Sequence, residues 1–215
     1  IQASLVGSEM CIRDRQNTKQ LILHHDDALS AAWPSDITKV VANIPYQISS
    51  PLIEKLTRHL KEQEGVLQQV VLMVQHEFGQ RLSMNHPADV GSLGMTVALD
   101  WDVTEHHMVP PHHFSPQPAV QSQVIELCPH NKVFSVDKRL VRQTIHHAFE
   151  QRRKKIRSTL RRAPKRISRI KGWHAQRWKD AMQSLQELEM MDARPEELTL
   201  DDWVQLAEKV EKGSM

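Results

Sequence analysis

Cysteine is nearly absent: the chain of 215 residues holds two, Cys11 and Cys128, without framework spacing or metal-type neighbours. That excludes a disulfide scaffold and a cysteine-based zinc site, and it makes a reducing cytoplasm the expected setting. No apolar run approaches the roughly eighteen residues that a bilayer span requires, and no signal peptide is visible, so no membrane partner is expected. Glycine is scarce, at 7 residues, and Gly91-Ser92-Leu93-Gly94 is too short and badly placed to cradle a cofactor; it reads as a loop. Histidine is plentiful, and four adjacent pairs occur: His24-His25, His106-His107, His112-His113 and His146-His147. Adjacent side chains diverge on strands and helices, and no HExxH or Cys-x-x-Cys accompanies them, so no metal is expected.

What is present is ordinary in amount and unusual in distribution. Hydrophobic content of 40% and charged content of 25% fit a globular chain with one large domain or a moderate one carrying a small appendage. The net charge of +2 hides a strong polarity. Between residues 151 and 172 lie Arg152, Arg153, Lys154, Lys155, Arg157, Arg161, Arg162, Lys165, Arg166, Arg169 and Lys171, with no acid among them. Residues 187–211 reverse the bias with Glu189, Asp192, Glu196, Glu197, Asp201 and Asp202. Eleven cations without an interleaved acid favour a contact with phosphates over a merely solvated face.

The first half alternates strand and helix signals. Residues 20–24 and 39–43 read as strands, the second ending in a proline-containing turn. Ser50 is placed to cap a helix from Pro51, with Leu52, Ile53, Leu56 and Leu60 at helical spacing. Residues 70–74 read as a strand buried on both faces, 77–83 as a helix and 95–101 as a strand. A proline-rich connection over 109–118 leads to a last strand at 122–127. The fold class predicted is α/β, a sheet with helices on its faces. The texture changes near 129–136. Residues 138–160 read as a helix with an apolar stripe of Leu140, Ile145, Ala148, Phe149, Ile156 and Leu160, ended by Pro164. Further helices are predicted over 175–190 and 199–209, the latter opened by a capping pair, Thr199 and Asp202. Trp173 and Trp178 read as packing residues of these helices.

Asn43-Ile44-Pro45-Tyr46 sits at the carboxyl end of a predicted strand, where open α/β sheets bind ligands. An exocyclic adenine amine is a poor nucleophile because its lone pair is delocalised into the ring. An Asn carboxamide oxygen and a backbone carbonyl at a Pro can accept its N–H bonds. Both favour a more tetrahedral nitrogen with its lone pair aimed at a methyl donor. A neighbouring Tyr offers a stacking surface for a base drawn out of its helix. Alone, the tetrapeptide reads better as an Asn-x-Pro turn closing a strand.

Its company changes that reading. Residues 41–52, centred on Asn43-Ile44-Pro45-Tyr46, strongly resemble the motif of the small-subunit rRNA adenine dimethyltransferases, the KsgA family. Further blocks follow in the family's order. Asp27-Ala28-Leu29 resembles its Gly-Asp-Ala-Leu segment, with Asp26 in place of Gly. Residues 74–82 are similar to its Gln-Lys-Glu-Phe-Ala-x-Arg-Leu stretch, and 114–122 to its Phe-x-Pro-x-Pro-x-Val-x-Ser signature. Residues 148–157 resemble the opening of its helical domain, and Arg194-Pro195-Glu196-Glu197-Leu198-Thr199 its carboxyl-terminal Arg-x-Glu-Glu-Leu-[Ser/Thr].

The resemblance implies an S-adenosylmethionine-dependent adenine-N6 dimethyltransferase acting on adjacent adenines of small-subunit rRNA, by direct displacement and without a metal. Asn43, Pro45 and Tyr46 would orient the adenine amine and Phe114 would help hold the ring. Asp27, with Asn43, would contact the cofactor, and Arg152, Arg153, Lys154, Lys155, Arg157, Arg161 and Arg162 would meet RNA. The partner implied is a pre-30S-type ribosomal particle, met by a monomer in the cytoplasm. A large-subunit rRNA resistance methyltransferase shares the Asn-Ile-Pro-Tyr and Phe-x-Pro-x-Pro elements, but the basic run and the Arg-Pro-Glu-Glu-Leu terminus favour the small-subunit enzyme. A non-catalytic rRNA-binding assembly or transcription factor on the same fold is the alternative of another class.

One part of the family pattern is not seen. Such enzymes open with a strand, a glycine-rich cofactor loop and, about twenty residues on, a ribose-binding acid. Residues 1–19 contain only Gly7, and residues 5–15 resemble a translated sequencing-adapter scar. The organisation expected is a non-native or disordered segment at 1–19, a partial methyltransferase domain at 20–130 and a helical, basic RNA-binding domain at 131–215. The sheet would be Rossmann-like, in the family order 3-2-1-4-5-7-6, lacking its first strands, so that the strand at 20–24 presents an open edge. Weak binding of S-adenosylmethionine is the corresponding expectation.

Overall fold

The computed structural model describes residues 22, 24–63 and 65–213. The chain divides into two compact units, Ile1–Pro34 and Ser35–Met215. In the first, the described residues form a turn in which the Asp27 carbonyl accepts from the Ser30 and Ala31 amides. The expected segment at 1–19 lies outside the described residues, as does most of the strand expected at 20–24; Ile22 and His24 are not in a strand.

The second unit is built on a four-stranded sheet. Strand β1 is Lys39–Asn43, β2 Gln69–Gln75, β3 Trp101–Val109 and β4 Ser122–Pro129. Their order is β1-β2-β4-β3, with β1 parallel to β2 and β4 antiparallel to both neighbours. This is the 4-5-7-6 half of the expected Rossmann-like methyltransferase order. In β2, Val70, Leu72 and Val74 are fully buried, but Val71 and Met73 are only half-buried. The strand is sealed on one face, not on both as its unbroken apolar run suggests.

Helix α1 is Ser49–Glu62, α2 His76–Ser83 and α3 Ser92–Val97. Helix α1 opens two residues before Pro51, directly after a 3-10 turn at Tyr46–Ile48, so Ile48 and not Ser50 is its cap. Pro51 is tolerated there because the first-turn amides have no intrahelical partner. Helix α3 overturns two expectations, the loop at 91–94 and the strand at 95–101. The alternation of Leu93, Met95, Val97 and Leu99 imitates a strand. Yet Gly94 lets α3 lie directly on α2: a Cβ there would stand 2.6 Å from the Arg81 carbonyl oxygen.

Helix α4 is Lys138–Phe149, α5 Ile156–Thr159, α6 Ala175–Ser184 and α7 Leu200–Lys212. The expected continuous helix over 138–160 is broken between α4 and α5, and the one over 175–190 stops at Ser184. The break falls on the run Arg152-Arg153-Lys154-Lys155. Helical geometry would set Arg152 beside Lys155, and Arg153 and Lys154 beside Arg157, like charges one turn apart. Instead Lys155 is extended and the Ile156 amide donates to the Ala193 carbonyl, 2.9 Å away. The apolar stripe still closes a core with Met95 and Leu99 of the sheet-side segment. Trp178 is fully buried, its indole N–H donating to the Leu160 carbonyl at 2.8 Å. Thr199 and Asp202 form the predicted capping box of α7. A buried carboxylate, Asp100, joins Lys61 of α1 (3.4 Å) to Lys138 (3.0 Å) and Arg142 of α4.

Candidate functional site

The parallel strands β1 and β2 end at the same edge of the sheet, where Asn43 lies opposite Met73. Asn43 is exposed, and its carboxamide makes no hydrogen bond among the described residues. Ile44 is buried and anchors the chain as it leaves the sheet. Pro45, at φ −58°, then directs it into the 3-10 turn. The Ile48 amide donates to the Pro45 carbonyl (3.1 Å), and the Ser49 hydroxyl to the Tyr46 carbonyl (2.9 Å). Because the Pro45 carbonyl is engaged, the free backbone acceptor beside Asn43 belongs to Ile44, which accepts no backbone hydrogen bond among the described residues. The sequence pointed to a carbonyl at a proline; only the turn geometry reveals which one is available.

The Tyr46 hydroxyl lies 2.7 Å from the Ser122 hydroxyl at the start of β4. Ser122 pairs with Gln75 at the end of β2 and with Val109 at the end of β3. The connection over residues 110–121 therefore leaves and re-enters the sheet at this same edge, and it carries Phe114. Phe114 is half-buried, its amide donating to the Pro111 carbonyl at 3.1 Å. The structure thus gathers Asn43, Pro45, Tyr46 and the Phe114 loop at one end of the sheet. Gln123, also buried, bonds His76 Nδ1 at 2.6 Å and donates to the His106 carbonyl at 2.8 Å.

Asp27 lies in the first unit. Its carboxylate accepts from the Leu29 amide (3.0 Å) and the Ser30 hydroxyl (3.3 Å), and the residue is exposed. A carboxylate with four lone-pair sites keeps capacity for one more donor, such as an adenine amine.

The seven predicted RNA-contacting cations are all exposed, while Ile156, Leu160, Ile167 and Ile170 between and after them are buried. They are not equivalent. Arg152 pairs with Glu196 (2.8 Å), and Lys155 (3.0 Å) and Arg157 share Asp192. The Lys155 hydrogen bond, then the Arg157 charge, hold the Asp192 carboxyl below its ordinary value. Lys154, Arg161 and Arg162 have no such carboxylate among the described residues. Lys154, Arg157 and Arg161 line a groove of about 860 Å³ with Ser158, Lys179, Gln183 and Gln186, and no acid lines it. Sequence reasoning missed Lys179, Gln183 and Gln186. Lys179 and Gln183, four apart, share one side of α6, and Gln186 follows in the turn beyond it; the i, i+4 spacing was the available signal.

Among the described residues no helix is long and apolar enough to cross a membrane, and no three side chains are grouped to hold a metal ion.

A family model described as ribosomal RNA adenine dimethylase matches residues 10–191. The ribosomal RNA small subunit methyltransferase A of Nitrosospira multiformis is 32% identical over 157 residues, covering 70% of this chain and 58% of its own length. That of a Prochlorococcus marinus strain is 36% identical over 203 residues, covering 88% of this chain and 67% of its own. The chain thus spans between 58% and 67% of the length of these two relatives. The crystal structure of a dimethyladenosine transferase from Plasmodium falciparum superposes with a TM-score of 0.77 at 24% identity, covering 96% of this chain and 80% of that one. At that identity the likeness speaks to the fold.

Proposed function

The chain belongs to the ribosomal RNA adenine dimethylase family, and from that premise we propose that it transfers methyl groups from S-adenosylmethionine to N6 of adjacent adenines in small-subunit rRNA. One observation carries the reading: at the sheet edge a carboxamide and a backbone carbonyl without hydrogen-bond partners among the described residues, and a tethered tyrosine ring, stand within four consecutive residues, Asn43 to Tyr46.

The chemistry follows from those groups. Asn43 Oδ1 and the Ile44 carbonyl accept the two N–H bonds of the target amine. Holding both hydrogens in fixed directions draws the nitrogen lone pair out of ring conjugation and aims it along the third direction. Tyr46 stacks on one face of the unpaired base, and Phe114 bounds the slot from its loop. Asn43 in the second unit and, separately, Asp27 in the first are the residues proposed as cofactor contacts; a bound sulfonium would supply an electrophilic methyl group. Polar residues fixed in advance contribute without reorganising during transfer. The amine proton leaves once the nitrogen has become cationic, so a weak base or water suffices.

The groove lined from α5 and α6, together with the exposed Arg153 and Arg162, takes phosphates of the same RNA. Phosphate contacts position and base contacts select. The division near residue 130, into a sheet that performs transfer and helices that hold RNA, belongs to this reading, as do a pre-30S-type particle as substrate and a monomeric enzyme.

The test is methyl transfer from labelled S-adenosylmethionine to small-subunit particles lacking the adenine dimethylations. Primer-extension stops at two adjacent adenines are expected once S-adenosylmethionine is concentrated enough to offset the weak binding that the sequence predicts. Asn43→Ala should lower transfer about 10²–10³-fold, the scale of one lost preorganised hydrogen-bonding group, with particle binding unchanged. Stops on large-subunit rRNA instead would overturn the substrate. Particle binding with no transfer by the unaltered chain would favour a non-catalytic binding protein.

A further inference from the structure

We propose that Ser122 is a positioning residue for the base slot: through the Tyr46 hydroxyl it fixes the stacking ring relative to the Phe114 loop. The proposal rests on the dimethyltransferase reading above and adds a residue to it.

Ser122 is fully buried. Its hydroxyl lies 2.7 Å from that of Tyr46, and either can be the donor. The two residues stand 76 positions apart in the chain, so the contact is tertiary. Tyr46 is held at its other end by the Ser49 hydroxyl on its carbonyl. The aromatic ring is therefore tied at backbone and tip, which removes the rotamer freedom that a stacking platform would otherwise lose on binding.

The place of Ser122 in the sheet gives the tether its meaning. Its backbone lies opposite Gln75 on one side and Val109 on the other, so two ladders fix it. It is also the residue on which the connection over 110–121 closes, and that connection carries Phe114. One buried hydroxyl thus spans from the Tyr46 wall of the slot to the hinge of the Phe114 wall. The adjoining Gln123 braces the same corner through His76 and His106. A methyl group at Ser122 would preserve the strand and release the ring, widening the range of amine orientations instead of weakening the RNA contact. The effect belongs in kcat and not in KM for RNA, which the cations of the basic segment dominate.

Tyr46 is the only tyrosine of the chain, so 13C labelling at the tyrosine ring carbon bearing the hydroxyl gives a single resonance. Ser122→Ala should displace that resonance, and both Ser122→Ala and Tyr46→Phe should lower kcat about tenfold, the scale of one net hydrogen bond. KM for the particle should stay within about twofold, and the double variant should be no slower than either single one. A resonance that does not move, or losses that multiply in the double variant, would overturn the tether, because a Ser122 acting only through strand stability adds to Tyr46→Phe. If Ser122→Ala does not fold, Tyr46→Phe carries the same kinetic expectation, and an unchanged kcat refutes it. Should the unaltered chain transfer no methyl groups, the dimethyltransferase reading fails, while the resonance still decides whether the tether exists.

Discussion

At the scale of single residues, the sequence offers candidates and not their orientation. Asn43, Tyr46 and Phe114 are candidates because their types suit an adenine amine and their neighbours resemble a known series. That the open carbonyl is Ile44's depends on one turn hydrogen bond, from the Ile48 amide to Pro45, which no composition rule supplies. Asp192 makes the same point in the basic region. The sequence shows eleven cations and hides the acid that engages two of them from thirty-five or more residues away. Its carboxyl is held below the ordinary 3.8 by the Lys155 hydrogen bond, then by the Arg157 charge. A carboxyl with a folded value below its unfolded one contributes stability above the unfolded value and loses it as pH falls through the folded one. The pair is therefore intact throughout the neutral range and opens only in acid below 3.8. An NMR titration of Asp192 should show that low midpoint, and Lys155→Met should move it upward; no movement would mean the two groups do not meet in solution.

Elements were read well where periodicity and burial agree. Strand β4, helix α2 and the capped start of α7 lie close to where the sequence placed them, because each has a single apolar face or a cap with a specific partner; β1 matches through its β-branched residues and parallel pairing with β2, without a buried face. Misreadings occurred where packing overrode pattern. The run over 95–101 reads as a strand, but its first residues belong to α3, which follows an extended Gly91 and packs through Gly94 against the last turn of α2. The stripe over 138–160 reads as one helix, yet ion pairs to residues 192 and 196 favour a break at its basic stretch. The α2–α3 contact gives a direct check. A Cβ at position 94 would stand 2.5 Å from the Met84 side chain and 2.6 Å from the Arg81 carbonyl. The side chain can turn away, but the backbone oxygen cannot move without shifting α2. Gly94→Ala should therefore cost about 1–3 kcal/mol in chemical denaturation, the usual range for overpacking, although alanine is the better helix former. An unchanged or raised midpoint would show that the helices separate easily.

For the whole molecule, the governing fact is that its charge is sorted and not merely abundant. A net charge of +2 would give little affinity for RNA if it were spread evenly. Sorting leaves a groove lined by Lys154, Arg161 and Lys179 and by no acid, while Arg157 of the same lining and, outside it, Arg152 and Lys155 are already occupied by Asp192 and Glu196. The two sets should respond differently to salt. Each phosphate contact made by a free cation releases condensed counterions and adds about 0.7–0.9 to the slope of log affinity against log salt. A cation engaged by a carboxylate has to exchange one partner for another and contributes less. The double variant Arg161→Ala/Lys179→Ala should thus lower that slope by about 1.4–1.8 in filter-binding assays with small-subunit rRNA between low and physiological salt. Lys155→Ala should change it less than either single groove substitution. Asp192→Asn, which frees two cations at once, should instead tighten RNA binding and steepen the slope. Equal slopes for the groove and the paired variants would mean that the sorting seen in the free protein is erased when RNA arrives, and that the basic segment acts as one undivided patch.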